Sequence, residues 1–130
     1  MAGPRSPTRV ETARDAANLL APLFRSARGE KLAVMLLGRE RELLDIKLFP
    51  GEPTEIDMPL RAIVYAAIEA GAEGLVLAHC HPSGNPHPSR DDQKATRALV
   101  QLGRPLGLQV HDHLIFAGEE ISSFRALGLL

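Results

Sequence analysis

A chain of 130 residues, 45% of them apolar, suits one folded domain with its own hydrophobic core, which excludes a disordered chain. Fifteen Lys and Arg against sixteen Asp and Glu leave no strong net field, so overall charge gives little support to non-specific nucleic-acid binding. One cysteine excludes an internal disulfide, no apolar run reaches the ~18 residues of a membrane span, and no signal-peptide pattern opens the sequence, so a soluble cytoplasmic protein is expected.

Residues 1–9 are polar and contain proline, and read as a loose, flexible tail before a single domain over 10–130. From Val10 to Phe24 the apolar positions Val10, Ala13, Ala16, Ala17, Leu20 and Leu23 recur at helical spacing, with Pro22 leaving the last turn open. LAVMLLG, Leu32 to Gly38, is a continuous apolar run of strand length, buried on both faces. LLDIKLF follows the polar turn and alternates partly, as a neighbouring strand does. PGEPTEID is a loop in which Asp57 can cap a helix that has Pro59 in its first turn. That helix, Pro59 to Ala70, carries Leu60, Ile63, Val64, Ala67 and Ile68 on one face, and Gly71 ends it.

GLVLAH, Gly74 to His79, is a short buried strand. Ser89 to Leu102 reads as a helix with Ala95, Ala98, Leu99 and Leu102 along a face, stopped by Gly103 and Pro105. LGLQVHDHLIFAG is a strand, bent or bulged near His111, and ISSFRALGLL closes the chain with an apolar end that packs back on the sheet. The layout α-β-β-α-β-α-β predicts an α/β (α+β) fold, a mixed β-sheet flanked by helices.

The chemistry concentrates in HCHPSGNPHPSRDD, His79 to Asp92. The side-chain period of a strand is two, so His79 and His81 point to one side and Cys80 to the other. Two imidazoles at a strand end form half of a metal site, and Asp92 stands at the start of the next helix, where the loop can return it to them. A His-His-Asp set leaves a fourth tetrahedral position for water, the arrangement of a catalytic zinc. Ser89-Arg90-Asp91-Asp92 also reads as a capping box, in which the serine hydroxyl and the aspartate three residues on satisfy helix N–H groups. One carboxylate does not easily serve cap and metal at full strength, so both readings stay open.

The spacing His79-x-His81, seven residues to Ser89 and two more to Asp92 resembles the JAMM (JAB1/MPN/Mov34 metalloprotease) pattern. LAHCHPSGNPHPSRDD, the upstream LFPGEPTEID…LR and the tail LGLQVHDHLIFAG…SFRALGLL resemble the RadC family, which carries a DNA-repair label, from about Glu30 to Leu130. The resemblance implies a JAB1/MPN (cytidine-deaminase-like) architecture and one Zn²⁺ per chain held by His79, His81 and Asp92. It also implies catalytic roles for two further residues. Glu30 is the base that takes the water's proton and passes it to the leaving amine, and Ser89 donates to the developing oxyanion. The expected activity is a JAMM-type zinc-dependent hydrolase cleaving an amide or isopeptide bond in a peptide or protein substrate.

Cys80 departs from the family's usual His-Asn-His. It reads as a buried cysteine, with a place near the metal as the alternative. His113, Asp112 and Cys80 are candidates to support the ligands from behind; for His111 and His113 a packed, hydrogen-bonded histidine fits as well. His87 reads as exposed. Arg90, Arg97 and Arg104, seven apart, read as solvated surface. The resemblance does not extend to the N-terminal helix-hairpin-helix domain of full-length relatives, which weakens a DNA role more than the metal reading. The rival readings are a non-catalytic MPN-type interaction module and a DNA-repair-associated protein acting on or near DNA.

Overall fold

In the computed structural model, which describes residues 7–25, 31–50 and 58–130, the elements are α1 (Ala13–Arg25), β1 (Lys31–Leu37), β2 (Leu43–Pro50), α2 (Leu60–Ala70), β3 (Gly74–Cys80), α3 (Arg90–Gly103), β4 (Gln109–Ala117) and β5 (Glu120–Ser123). The five strands form one mixed sheet in the order β2-β1-β3-β4-β5. β1 runs antiparallel to both β2 and β3, β3 is parallel to β4, and β5 closes the edge antiparallel to β4. Parallel neighbours need a long crossover, and α3 supplies it between β3 and β4. The class is α+β, as the element order predicts, and no described helix is long and apolar enough to cross a membrane.

The sheet carries apolar packing on both faces, which is why β1 and β3 read as unbroken apolar runs. On one face Leu32, Val34, Leu36, Leu75, Leu77 and Val110 pack against Ile63 and Ala67 of α2 and Ala95 and Leu99 of α3. On the other, Ala33, Met35, Val76, Ala78, Leu114 and Phe116 pack against Ala16 and Leu20 of α1. β3 therefore sends its odd-numbered residues toward α3 and its even-numbered ones toward α1.

β4 changes parity. Val110 lies on the α3 face and Leu114 on the α1 face, which a regular strand forbids because their separation is even. The register explains it: Leu75 pairs with Val110, but Val76 pairs with Asp112, leaving His111 as the extra residue of a bulge. The bulge expected near His111 is present. Its effect is to turn His113 to the α3 face.

Several expectations need correction. α1 begins at Ala13 rather than Val10, because Thr12 caps it: Thr12 Oγ1 accepts from Asp15 N–H (3.1 Å), and the Asp15 carboxylate accepts from Thr12 N–H (3.1 Å). The helix runs through Pro22 to Arg25. Thr8 and Arg9, expected in the tail, are tied to the β1–β2 turn by the Thr8 carbonyl accepting from Leu43 N–H and by an Arg9–Glu40 ion pair. Asp57 lies outside the described residues; α2 begins at Leu60 behind Pro59 and ends at Gly71, whose left-handed φ of 71° is the one glycine tolerates.

The helix faces also differ. Ile68 is exposed, so α2 packs on a narrower stripe than its apolar content suggests. Leu102 is exposed too, and the buried stripe of α3 is Asp92, Ala95, Thr96, Leu99 and Gly103. Two polar residues thus lie on the face expected to be purely apolar. The chain end returns to the sheet as expected, through β5, the buried Phe124 and Leu130, which packs against the core on the α3 face, while Leu127 and Leu129 are exposed.

Candidate metal centre

The site forms where β3 ends and α3 begins. Odd parity aims His79 at the α3 face, where it is buried. The chain then leaves the sheet, with His81 N–H donating to the Phe116 carbonyl (2.8 Å). The loop is held by local bonds. The Asn85 side chain accepts from His87 N–H (3.0 Å), Ser83 Oγ accepts from Asn85 N–H (3.3 Å), and Gly84 takes a φ of 81° that a side chain would resist. Ser89 starts α3 with a complete capping box: its Oγ accepts from Asp92 N–H (3.0 Å) and the Asp92 carboxylate accepts from Ser89 N–H (2.8 Å).

Cap and ligand turn out to be compatible. Asp92 Oδ2 accepts the Ser89 N–H and lies 3.0 Å from His81 Nε2, while Oδ1 faces His79 Nε2 at 3.4 Å. A carboxylate has about four lone-pair sites on two oxygens, enough for the cap and for a cation between the rings. One donor atom from each of His79, His81 and Asp92 lies within 4.8 Å of the others, and these form the one such cluster found among the described residues.

The protons point the same way. His81 Nδ1 lies 2.8 Å from the Asn85 carbonyl, which only accepts, so Nδ1 carries a hydrogen. His81 Nε2 is then the atom that faces the Asp92 carboxylate, at 3.0 Å, where a proton or a metal cation can sit between them. His79 Nε2 is buried with no hydrogen-bond partner among the described residues. Burial raises the pKa of Asp92, but the hydrogen bond and charge that His79 supplies in its protonated form, with the Ser89 hydrogen bonds, outweigh it and hold the carboxyl well below its ordinary range. Two imidazole nitrogens and a carboxylate converging on one point fit a metal ion.

Behind His79 lies His113, with its Nε2 2.7 Å from His79 Nδ1 and its ring fully buried. Burial pushes the His113 pKa well below the ordinary histidine range, and a proton gained by His79 would push it the same way. Its Nδ1 lies 2.6 Å from Thr96 Oγ1. Thr96 was not singled out from the sequence; its only signal there is its place one turn beyond Asp92.

The other candidates fall elsewhere. Asp112 accepts from Ser123 Oγ (2.6 Å), Arg125 N–H (3.1 Å) and His113 N–H (2.7 Å), so it fastens β5 and the chain end to β4 and touches no ligand side chain. Cys80 is half-buried on the strand parity of the α1 face and stands outside the donor cluster. His87 is exposed, as are Arg90, Arg97 and Arg104. Glu30 lies outside the described residues; β1 begins at Lys31, and Leu32 pairs with His79.

Comparison with known proteins agrees with this geometry. A family profile described as RadC-like JAB domain matches residues 10–129. A UPF0758 protein of Symbiobacterium thermophilum is 39% identical over 112 residues, covering 85% of this chain and 48% of that protein. UPF0758 proteins of Salinibacter ruber and Geobacter sulfurreducens are each 34% identical, over 117 and 108 residues, covering 89% and 82% of this chain and 50% and 47% of those proteins. The chain spans about half the length of these curated relatives.

Proposed function

This chain belongs to the RadC-like JAB domain family, and on that premise we propose that it is a zinc-dependent hydrolase cleaving an amide or isopeptide bond in a peptide or protein substrate. The observation that carries the reading is the convergence of His79, His81 and Asp92, with the buried Nε2 of His79 facing Asp92 Oδ1 at 3.4 Å and without a hydrogen-bond partner among the described residues. Two imidazoles and one carboxylate are a donor set that suits Zn²⁺, which His79, His81 and Asp92 would hold. Zinc held there supplies an activated water and polarises the carbonyl under attack.

The chain's own residues handle the protons. Glu30, directly before β1, is the base that accepts the water's proton and returns it to the leaving amine. The pairing of Leu32 with His79 supports this role, since it runs the start of β1 beside the first ligand. Ser89 keeps a donor for the oxyanion: its cap contact uses a lone pair on Oγ, so the hydroxyl hydrogen remains available. Ser89 is exposed at the loop edge, which leaves it accessible to a substrate.

The test is metal stoichiometry by elemental analysis of tag-free protein beside His81→Ala. One zinc per chain, lost in the variant, is the expected result and leads to a peptide and isopeptide substrate screen. No metal after zinc addition overturns the reading in favour of a non-catalytic interaction module.

A further inference from the structure

The hydroxyl of Thr96 sits between the backbone of one ligand and the support of another. Oγ1 donates to the Asp92 carbonyl (2.8 Å) and lies 2.6 Å from His113 Nδ1, and His113 Nε2 lies 2.7 Å from His79 Nδ1. The polarity of this chain of bonds is dictated from its carbonyl end. A carbonyl oxygen has no proton to offer, so the Thr96 hydroxyl hydrogen must go to it; otherwise two acceptors would face each other at 2.8 Å. Oγ1 then meets His113 as an acceptor, which places the imidazole proton of His113 on Nδ1.

The His113 ring is fully buried and stacked on Phe124 at 4.5 Å, and among the described residues its two nitrogens meet Thr96 Oγ1 and His79 Nδ1. A neutral ring protonated at Nδ1 has its lone pair at Nε2, and this accepts the Nδ1–H of His79. The other nitrogen of His79 is thereby left to present its lone pair toward Asp92 and His81. His81 reaches the same state more directly, through the Asn85 carbonyl.

We propose that Thr96, acting through His113, is a positioning residue that fixes the tautomer of His79 and so makes Nε2 a metal-ligating atom. The value of this for metal binding rests on the hydrolase reading above; the tautomer chain itself does not. Because the terminal carbonyl belongs to Asp92, the relay also links one ligand to another through the first turn of α3.

The experiment reads histidine tautomers by ¹⁵N NMR of metal-free protein at mildly alkaline pH, for wild type, Thr96→Val and Thr96→Ser, with zinc affinity by chelator competition alongside. Wild type is expected to carry the proton on Nδ1 in both His113 and His79. Thr96→Val removes the acceptor, so His113 should shift its proton to Nε2 and force His79 to carry its own on Nε2. Zinc affinity should then fall about 10–100-fold, the usual effect of losing a group that orients a ligand. Thr96→Ser should restore both readouts, which a purely space-filling role would not predict. A wild-type His113 protonated on Nε2 overturns the proposal, and that spectrum decides it even if Thr96→Val does not fold. Unchanged tautomers and affinity in a folded Thr96→Val overturn it as well. The expected tautomers in a protein that binds no zinc would support the relay and sink the hydrolase reading alone.

Discussion

Asp92 is the residue at which fold and chemistry can be separated most cleanly, because an asparagine there keeps one and loses the other. The amide oxygen of Asp92→Asn, in the place of Oδ2, can still accept from Ser89 N–H, while its NH₂, in the place of Oδ1, faces His79 Nε2, so the capping box survives. What disappears is the negative charge that opposes a cation. Asp92→Ala loses both. Removing a capping side chain costs about 0.5–2 kcal/mol, and a domain of this size shifts its Tm by about 4 °C per kcal/mol. Metal-stripped Asp92→Ala should therefore melt roughly 2–8 °C below wild type. Asp92→Asn should stay close to wild type, and both variants should purify without metal.

The pH dependence has a definite sign. The folded-state pKa of Asp92 is depressed below its ordinary 3.8, so the stability its ionised form contributes is fully present above that value. It is lost as pH falls through the depressed folded value. The gap between wild type and Asp92→Ala should thus hold constant from neutral pH down to the ordinary carboxylate range and close only below it. Thermal melts of stripped protein across acid pH, with elemental analysis of unstripped protein, read both effects. If Asp92→Asn and Asp92→Ala melt equally low, the cap does not depend on that oxygen. If Asp92→Asn keeps one metal per chain, the carboxylate is not a ligand.

Ser89→Ala should lower stability by about 1 kcal/mol through the lost cap and slow hydrolysis by about 10²–10³ through the lost oxyanion donor, with metal content unchanged; a stability loss at full rate would reduce Ser89 to a cap. Glu30→Ala should bind zinc as wild type does and hydrolyse nothing, and retained turnover in a substrate assay would remove Glu30 as the base. Gly103→Ala should destabilise by about 1–3 kcal/mol, because a Cβ there would stand 2.8 Å from the Leu108 carbonyl oxygen, where α3 hands over to β4. A chemical-denaturation midpoint equal to wild type would show that this turn can give way freely.

The local rules act within a few residues, and what depends on them was readable in order. Unbroken apolar runs mark β1 and β3 because both faces of these strands are covered. Gly71 ends α2 because the left-handed turn there favours a residue without Cβ. The His-x-His spacing places both rings on one side because strand parity does so, and Ser89 with Asp92 declares a helix start. Even the bulge at His111 showed as a break in the late apolar strand. β5 did not show, since four residues of which three are polar carry too little periodicity to mark an edge strand.

The centre itself required the tertiary structure. Whether Asp92 caps or ligates was undecided along the chain, and only the return of α3 toward β3 lets its two oxygens do both. His113 joins His79 because one extra residue in β4 reverses the parity beyond it, an effect that exists only once β4 is paired with β3. Thr96 was not singled out along the chain, and its meaning comes from the stripe of α3 that faces the sheet. Along the chain, strand parity paired His79 with His81, and the family resemblance added Asp92. The groups that orient them lie 17 to 34 residues apart along the chain and meet only through packing.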